Sequence, residues 1–227
     1  MIVSIHQPNY IPWMGYFYKI YKSDIFIFLD DVQYIKGSYI NRNKIKTHMG
    51  EHWLTIPSKF NDSSRCKINE VCINNEQDWR SNHLKNIHYN YKRAAYFNEF
   101  IPFIQNCLSY NSDNLSDFNI NTITKICGLL NIKTRIMLSS QLNIEEKSTM
   151  RIIKICEAVG GTKYLSGRGG TKYQDPQMFM DYGIELEYSD FYEKPYSQLW
   201  GEFAEGMSII DYILNCGTDI KSFWNVL

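Results

Sequence analysis

Two apolar runs, IVSIH at 2–6 and DIFIFLDD at 24–31, bracket a stretch of helical spacing near the start of the chain. Neither run alternates apolar with polar side chains, so each reads as a strand buried on both faces. Between them WMGYFYKIYK places apolar residues at helical spacing up to Lys22, with Pro12 suited to the first helical turn. Strand, helix and strand within about 30 residues make a βαβ unit with a right-handed crossover. Such a unit demands parallel pairing, and parallel sheets need helices over their faces.

The second half of the chain continues that rhythm. Strand TRIMLSS (134–140), helix STMRIIKICEAVG (148–160), strand TKYLSG (162–167), helix DPQMFMDYG (175–183) and strand IELEYS (184–189) follow one another. The alternation predicts an α/β fold, a Rossmann-like doubly wound sheet that is mostly parallel. In the middle, the polar run QYIKGSYINRNKIKTHMG leads to WLTIPS (53–58), read as a strand, and CKINEVCI (66–73) reads as an edge strand. From Asp78 to about Tyr110 the pattern is helical, with Pro102 expected to split it, and Ser116–Asp117 is expected to cap the next helix. No repeat or linker breaks the sequence. A single domain spanning 1–227 is expected, with a mainly helical insert at about 78–132.

Bulk properties narrow the function. Lys+Arg and Asp+Glu both total 24, so net charge implies no attraction to nucleic acid. No segment approaches 18 consecutive apolar residues and the amino terminus has no basic leader; a cytoplasmic protein without membrane insertion is expected. The six cysteines form no CxxC pair and read as reduced core thiols. Seventeen tyrosines supply polar-tipped rings suited to ligand sites.

In an open parallel sheet, ligands bind beyond the carboxyl ends of the strands. Three polar clusters fall there. The first is His6, Gln7, Asn9 and Tyr10, with Trp13 and Tyr16 as candidate pocket walls. The second is Asp30, Asp31, Gln33 and Tyr34, running into Lys36, Asn41, Arg42 and Lys46. The third is SGRGGTKY, in which Ser166, Gly167, Arg168, Gly169, Lys172 and Tyr173 are candidate contacts. Its glycines permit close backbone approach, and its cations, facing the next helix start, suit phosphate or carboxylate. Each cluster also has a plain reading: a histidine bonded to a backbone carbonyl, a pair of turn-capping aspartates, an ordinary αβ connection. His83 and His88 sit five apart, a poor spacing for one metal ion, and no metal site is expected.

HQPNYIPWMGYF, FLDDVQYIKGSYINRNKI, WLTIP, YLSGRGGTKY and Tyr-Ser-Gln at 196–198 together resemble the WbqC-like family across nearly the whole chain. Members are typically encoded among bacterial surface-polysaccharide and O-antigen (lipopolysaccharide) biosynthesis genes. The resemblance implies work on a nucleotide-linked or lipid-linked sugar. More loosely, PNYIPWMGYFYKI followed by SDIFIFLDD is similar to the first unit of nucleotidylyltransferase-like enzymes, pantothenate synthetase among them. Their histidine pair is missing, since the helix start reads Pro12-Trp13-Met14-Gly15.

The expectation is a transferase that forms an amide on a nucleotide-linked amino sugar by acyl or aminoacyl transfer or ligation, with His6 or Asp30 as base. The imidazole of His6 is expected to titrate at neutral pH. ATP-dependent nucleotidyl or adenylyl transfer, with Mg²⁺ on Asp30 or Asp31, is the alternative, and non-catalytic sugar-nucleotide binding a third. The donors these readings require are ATP–Mg²⁺ or an acyl donor such as acetyl-CoA; a homodimer is possible. Both His6 and Asp30 are expected to face a cavity, so that replacing either leaves the melting temperature nearly unchanged.

Overall fold

A computed structural model describes residues 1–59, 66–172 and 174–224. Contacts between residues divide the chain into two compact units. One comprises 1–7, 15–32 and 132–192; the other comprises 8–14, 33–131 and the chain from 193 onward.

The first unit is a sheet of five parallel strands: β1 (Ile2–His6), β2 (Ile25–Phe28), β7 (Arg135–Leu138), β8 (Lys163–Ser166) and β9 (Glu185–Tyr188). Their spatial order is β7-β2-β1-β8-β9. Counting only these strands along the chain, that is 3-2-1-4-5, a Rossmann-like doubly wound arrangement whose order reverses between β1 and β8. Strand periodicity sorts the side chains between two faces. Val3, Ile5, Ile25 and Ile27 pack with Ile153, Ile155 and Cys156 of α5 (Ser148–Ala158) and Phe179 of α6 (Pro176–Asp181). On the other face, Phe26 meets the Tyr16 ring of α1 (Met14–Tyr21) at 5.5 Å. The strands expected at 24–31, 134–140, 162–167 and 184–189 are all present, shorter by one to two residues at most ends.

The second unit contains the hairpin of β3 (Arg42–Thr47) and β4 (Gly50–Thr55), paired antiparallel, and a two-residue ladder between β5 (Ser58–Lys59) and β6 (Cys72–Ile73). Its helices are α2 (Trp79–Tyr91), α3 (Phe97–Leu108), α4 (Leu115–Leu129), α7 (Ile209–Cys216) and α8 (Ile220–Trp224). The predicted edge strand 66–73 is broken by a 3₁₀ turn at Ile68–Glu70, with Lys67 in an isolated bridge to Gln33 and only its last two residues in a ladder. The helical stretch breaks at 92–96, and Pro102 lies inside α3. Asn114, rather than Ser116, caps α4 by accepting from the Asp117 N–H at 2.9 Å. A ring cluster of Tyr10, Trp79 and Phe118 anchors the core, with Trp79 and Phe118 centroids 5.2 Å apart.

The six cysteines are free thiols; Cys107, Cys127 and Cys156 are buried, and burial pushes them up to about 11, 12 and 12. Among the described residues, no helix is long and apolar enough to cross a membrane.

Candidate functional site

In the first unit the parallel strands bring the leading residues of the first two predicted clusters, and the third cluster, to one rim. His6 and Gln7 end β1, Asp30 and Asp31 follow β2, and Ser166 to Lys172 follow β8. Tyr173 lies outside the described residues.

At the order reversal the β1–β8 ladder is short. Ile2 pairs with Lys163 and Val3 with Tyr164, and registered pairing stops there, although both strands run on. Carbonyls of alternate β1 residues face opposite neighbours: Met1 accepts from Lys163, whereas His6 accepts from Leu29. By that alternation the Ile5 carbonyl points into the opened β8 seam, and it accepts from Lys19 Nζ at 3.0 Å. One residue earlier, the Ser4 hydroxyl donates to the Leu165 carbonyl at 3.0 Å. Lys19 is 3% exposed and sits 6.0 Å from the Phe26 ring. Among the described residues it has no carboxylate partner, and burial lowers its pKa to about 7.

His6 stands beside it. Its Nδ1 lies 3.1 Å from the Gln7 carbonyl, an acceptor only, so Nδ1 carries the proton and Nε2 presents a lone pair. The ring packs edge-on against Tyr16 at 4.7 Å, and Tyr16 donates to the same Gln7 carbonyl at 2.8 Å. Burial first, and then the Lys19 charge, push the imidazole down to about 3, while its bond to Gln7 opposes them. The expectation of neutral-pH titration is therefore corrected: His6 is uncharged across the physiological range.

Asp30 does not face a cavity. One oxygen accepts from the Ser139 hydroxyl (3.1 Å) and the Ser140 N–H (3.0 Å), and the other from the Ser140 hydroxyl (2.7 Å). Asp31 pairs with Arg151 at 2.6 Å and also accepts from Ser139; against the opposing effect of burial, these partners hold it below the usual carboxylate range. The pair ties the end of β2 to the end of β7. Asp30→Asn is accordingly expected to lower stability by about 2 kcal/mol, read as a shifted urea midpoint, because buried serine donors lose an acceptor. Unchanged melting would return Asp30 to the catalytic list.

Beyond β8, Ser166 is buried and donates to the Gly167 carbonyl at 3.1 Å. Arg168 donates to the Ser189 and Asp190 carbonyls at 3.3 and 3.2 Å, clipping β8 to β9. Lys172, Gly169 and Arg168 are exposed. A Cβ at Gly170 would fall 2.3 Å from Ser166 Oγ, so packing explains that glycine; at Gly167 and Gly169 the space is open. The start of α6 already has an anion, because Asp175 accepts from the Gln177 N–H at 3.0 Å. A cavity of about 410 Å³ lined by Pro176, Met180, Gly183, Ile184, Glu185 and Leu186 lies at the amino end of β9, and no set of polar groups converges on it.

The remaining candidates belong to the second unit. Tyr10 is fully buried, its hydroxyl 2.8 Å from His83 Nδ1, which makes both of them core groups. Tyr34 is buried with its hydroxyl 3.1 Å from Ser58 Oγ. Asn41 accepts from the Gly37 N–H and donates to the Ile56 carbonyl, holding its own loop. Lys46 is buried and donates to the Gly201 and Glu202 carbonyls. Asn9 is half-buried, Lys36 and Trp13 are exposed, and Arg42 lies against Trp53. Among the described residues, no group of three His, Cys, Asp or Glu is placed to hold a metal ion.

A family model matches residues 7–222. The chain belongs to the WbqC-like protein family. A relative from Mycobacterium tuberculosis (strain ATCC 25618 / H37Rv), described as "Uncharacterized protein Rv1507c", is 35% identical over 223 residues, covering 97% of this chain and 96% of its own. No solved structure matches. In this WbqC-like chain the Tyr-Ser-Gln segment has structural work: Tyr196 and Gln198 both donate to Asp211 at 2.8 Å.

Sequence reasoning missed Lys19 and Glu193. Glu193 is 7% exposed; one oxygen accepts from the Gly206 N–H and the other is buried without a partner. Burial pushes its pKa up to about 7. The folded state therefore holds a proton that the unfolded chain releases near pH 4.5, and stability falls as pH rises from 4.5 to 7. Unfolding free energies from urea melts of the wild type and Glu193→Gln should diverge across that window by roughly 3 kcal/mol. Parallel curves would remove Glu193 from the buried acids.

Proposed function

We propose that this chain is a transferase of surface-polysaccharide assembly that forms an amide on a nucleotide-linked amino sugar. The carrying observation is the opened β1–β8 seam, with the buried Lys19 ammonium beneath it and neutral His6 beside it. Doubly wound sheets bind phosphorylated ligands beyond the carboxyl ends of the strands at the order reversal. A buried cation without a carboxylate is stabilised by an anionic guest, here the diphosphate of the sugar carrier.

The chemistry follows from that placement. With the diphosphate beside Lys19, the lysine charge that adds to burial in depressing His6 is offset, and the imidazole becomes a better base. Its Nε2 accepts the proton of the sugar amine as the nitrogen attacks the carbonyl carbon of an acyl ester or thioester. The C–N bond forms, the C–O or C–S bond breaks, and the proton leaves with the departing alkoxide or thiolate. Family membership supports the pathway; the M. tuberculosis relative carries no activity in its description.

The test is incubation with UDP- and dTDP-linked amino sugars and an acyl thioester such as acetyl-CoA, with mass spectrometry of the sugar product. An added acyl mass, lost in His6→Ala and in Lys19→Met, is expected. No product, together with no thermal stabilisation by any nucleotide sugar, contradicts the proposal.

A further inference from the structure

Three cations point along one face of β3, and among the described residues only two of them have polar partners. Register places Arg42 opposite Thr55, Lys44 opposite Trp53 and Lys46 opposite Glu51. Lys44 pairs with Glu51 at 2.8 Å, and Lys46 is held by the Gly201 and Glu202 carbonyls. Arg42 has neither a carboxylate nor a carbonyl among the described residues. Its guanidinium lies 4.3 Å from the centroid of the Trp53 ring, and its Nε is buried without a hydrogen-bond partner.

Leaving a guanidinium donor buried and unanswered costs free energy, which the ring contact offsets only in part. The site around it is built. A Cβ at Gly37 would fall 3.8 Å from the guanidinium carbon, so the Gly37 turn lies close against Arg42, and its φ of +76° favours glycine. Asn41 fixes that turn by accepting from the Gly37 N–H at 3.2 Å. Tyr39 completes the platform, with its ring 5.6 Å from Trp53 at 49°; the two are 47% and 37% exposed. The Nη end of a planar guanidinium beside two exposed rings suits a ligand that carries an oxyanion on a ring. The fork takes two oxygens and the rings take the flat face.

We propose that Arg42, Trp53 and Tyr39 form an oxyanion subsite for a phosphate or carboxylate borne on a sugar or nucleoside. The shared chemistry is the ring-linked oxyanion, and the two sources separate by experiment. The Trp53 indole N–H is followed by NMR in the full chain, with its signal assigned by Trp53→Phe. Titrants are inorganic phosphate, glucose 1-phosphate, uridine monophosphate and glucuronate.

A saturable shift is expected with ring-bearing oxyanions, about tenfold tighter than with inorganic phosphate. Arg42→Gln is expected to weaken it about tenfold or more. Arg42→Lys keeps the charge without the fork and should weaken it by a smaller factor, which serves as the readout if the glutamine variant does not fold. Preference for the two phosphate esters assigns a phosphate, and preference for glucuronate assigns a carboxylate. No saturable shift with any of the four, or equal affinity in the Arg42 variants, overturns the proposal.

Discussion

Lys19→Met is expected to unfold at higher urea than the wild type at pH 6, by about 4 kcal/mol, while losing about a hundredfold or more in kcat/KM for amide formation. The stability gain follows from desolvation. Wild-type Lys19 has a pKa lowered to about 7, against an ordinary value of 10.5 in the unfolded chain. Below pH 7 both states carry the charge and the folded state bears its full burial cost; from pH 7 to 10.5 the folded lysine has lost its proton and the unfolded one has not, so stability recovers. A methionine of similar shape removes that cost, in line with the gains seen when buried charges are replaced by apolar groups. The advantage of the variant should therefore shrink steadily above pH 7. The activity loss follows because methionine offers nothing to a diphosphate. A variant that is both less stable and fully active would show that Lys19 serves only to hold the Ile5 carbonyl.

Asp211→Ala should have the opposite sign and similar size, a loss of about 4 kcal/mol. Asp211 lies in the first turn of α7 and is completely buried. It accepts from Tyr91 at 2.6 Å and from Tyr196 and Gln198 at 2.8 Å each. Burial raises its pKa, and these donors oppose the rise. Removing the carboxylate takes the acceptor from the buried Tyr91 hydroxyl and from the half-buried Tyr196 and Gln198 at once, although Gln198 keeps the Ala204 carbonyl, so the cost exceeds that of one hydrogen bond. For a chain of this length the melting temperature should drop by roughly 8–16 °C, at about 2–4 °C per kcal/mol. Tyr91→Phe alone should cost much less, and a double-mutant cycle between the two positions should show strong coupling. A small effect of Asp211→Ala would mean that the network is filled by water instead.

The parallel sheet was readable because its strands are continuous apolar runs bounded by turns, as in IFIF at 25–28. The β3–β4 hairpin was not, because β3 reads RNKIKT and buries Asn43 and Lys46 through hydrogen bonds rather than apolar surface. Asn43, for example, donates to the Ile11 carbonyl at 2.6 Å. Pro102 misled in the same way: it ends a helix by rule, yet α3 continues through it.

The site residues show a similar division. His6 is placed at a strand end by local pattern alone, and so was visible. Asp30 had the same pattern, but its partners Ser139 and Ser140 become neighbours only once β7 is known to lie beside β2. Lys19 left one signal that could have been used. Seven of the eight residues of α1 are buried, and a helix apolar on every side has no solvated face for its one lysine. Arg42 was visible as a cation, while its missing partner could be seen only in three dimensions.

The most direct measurement is the titration of Lys19 itself, followed through its labelled side-chain Cε by NMR with and without a UDP-linked sugar. A diphosphate in the seam requires a lysine that titrates near 7 in the free protein and moves up toward the ordinary lysine range when the nucleotide sugar is added. A lysine that titrates near 10.5 in both samples would contradict the seam as the place where the sugar carrier binds.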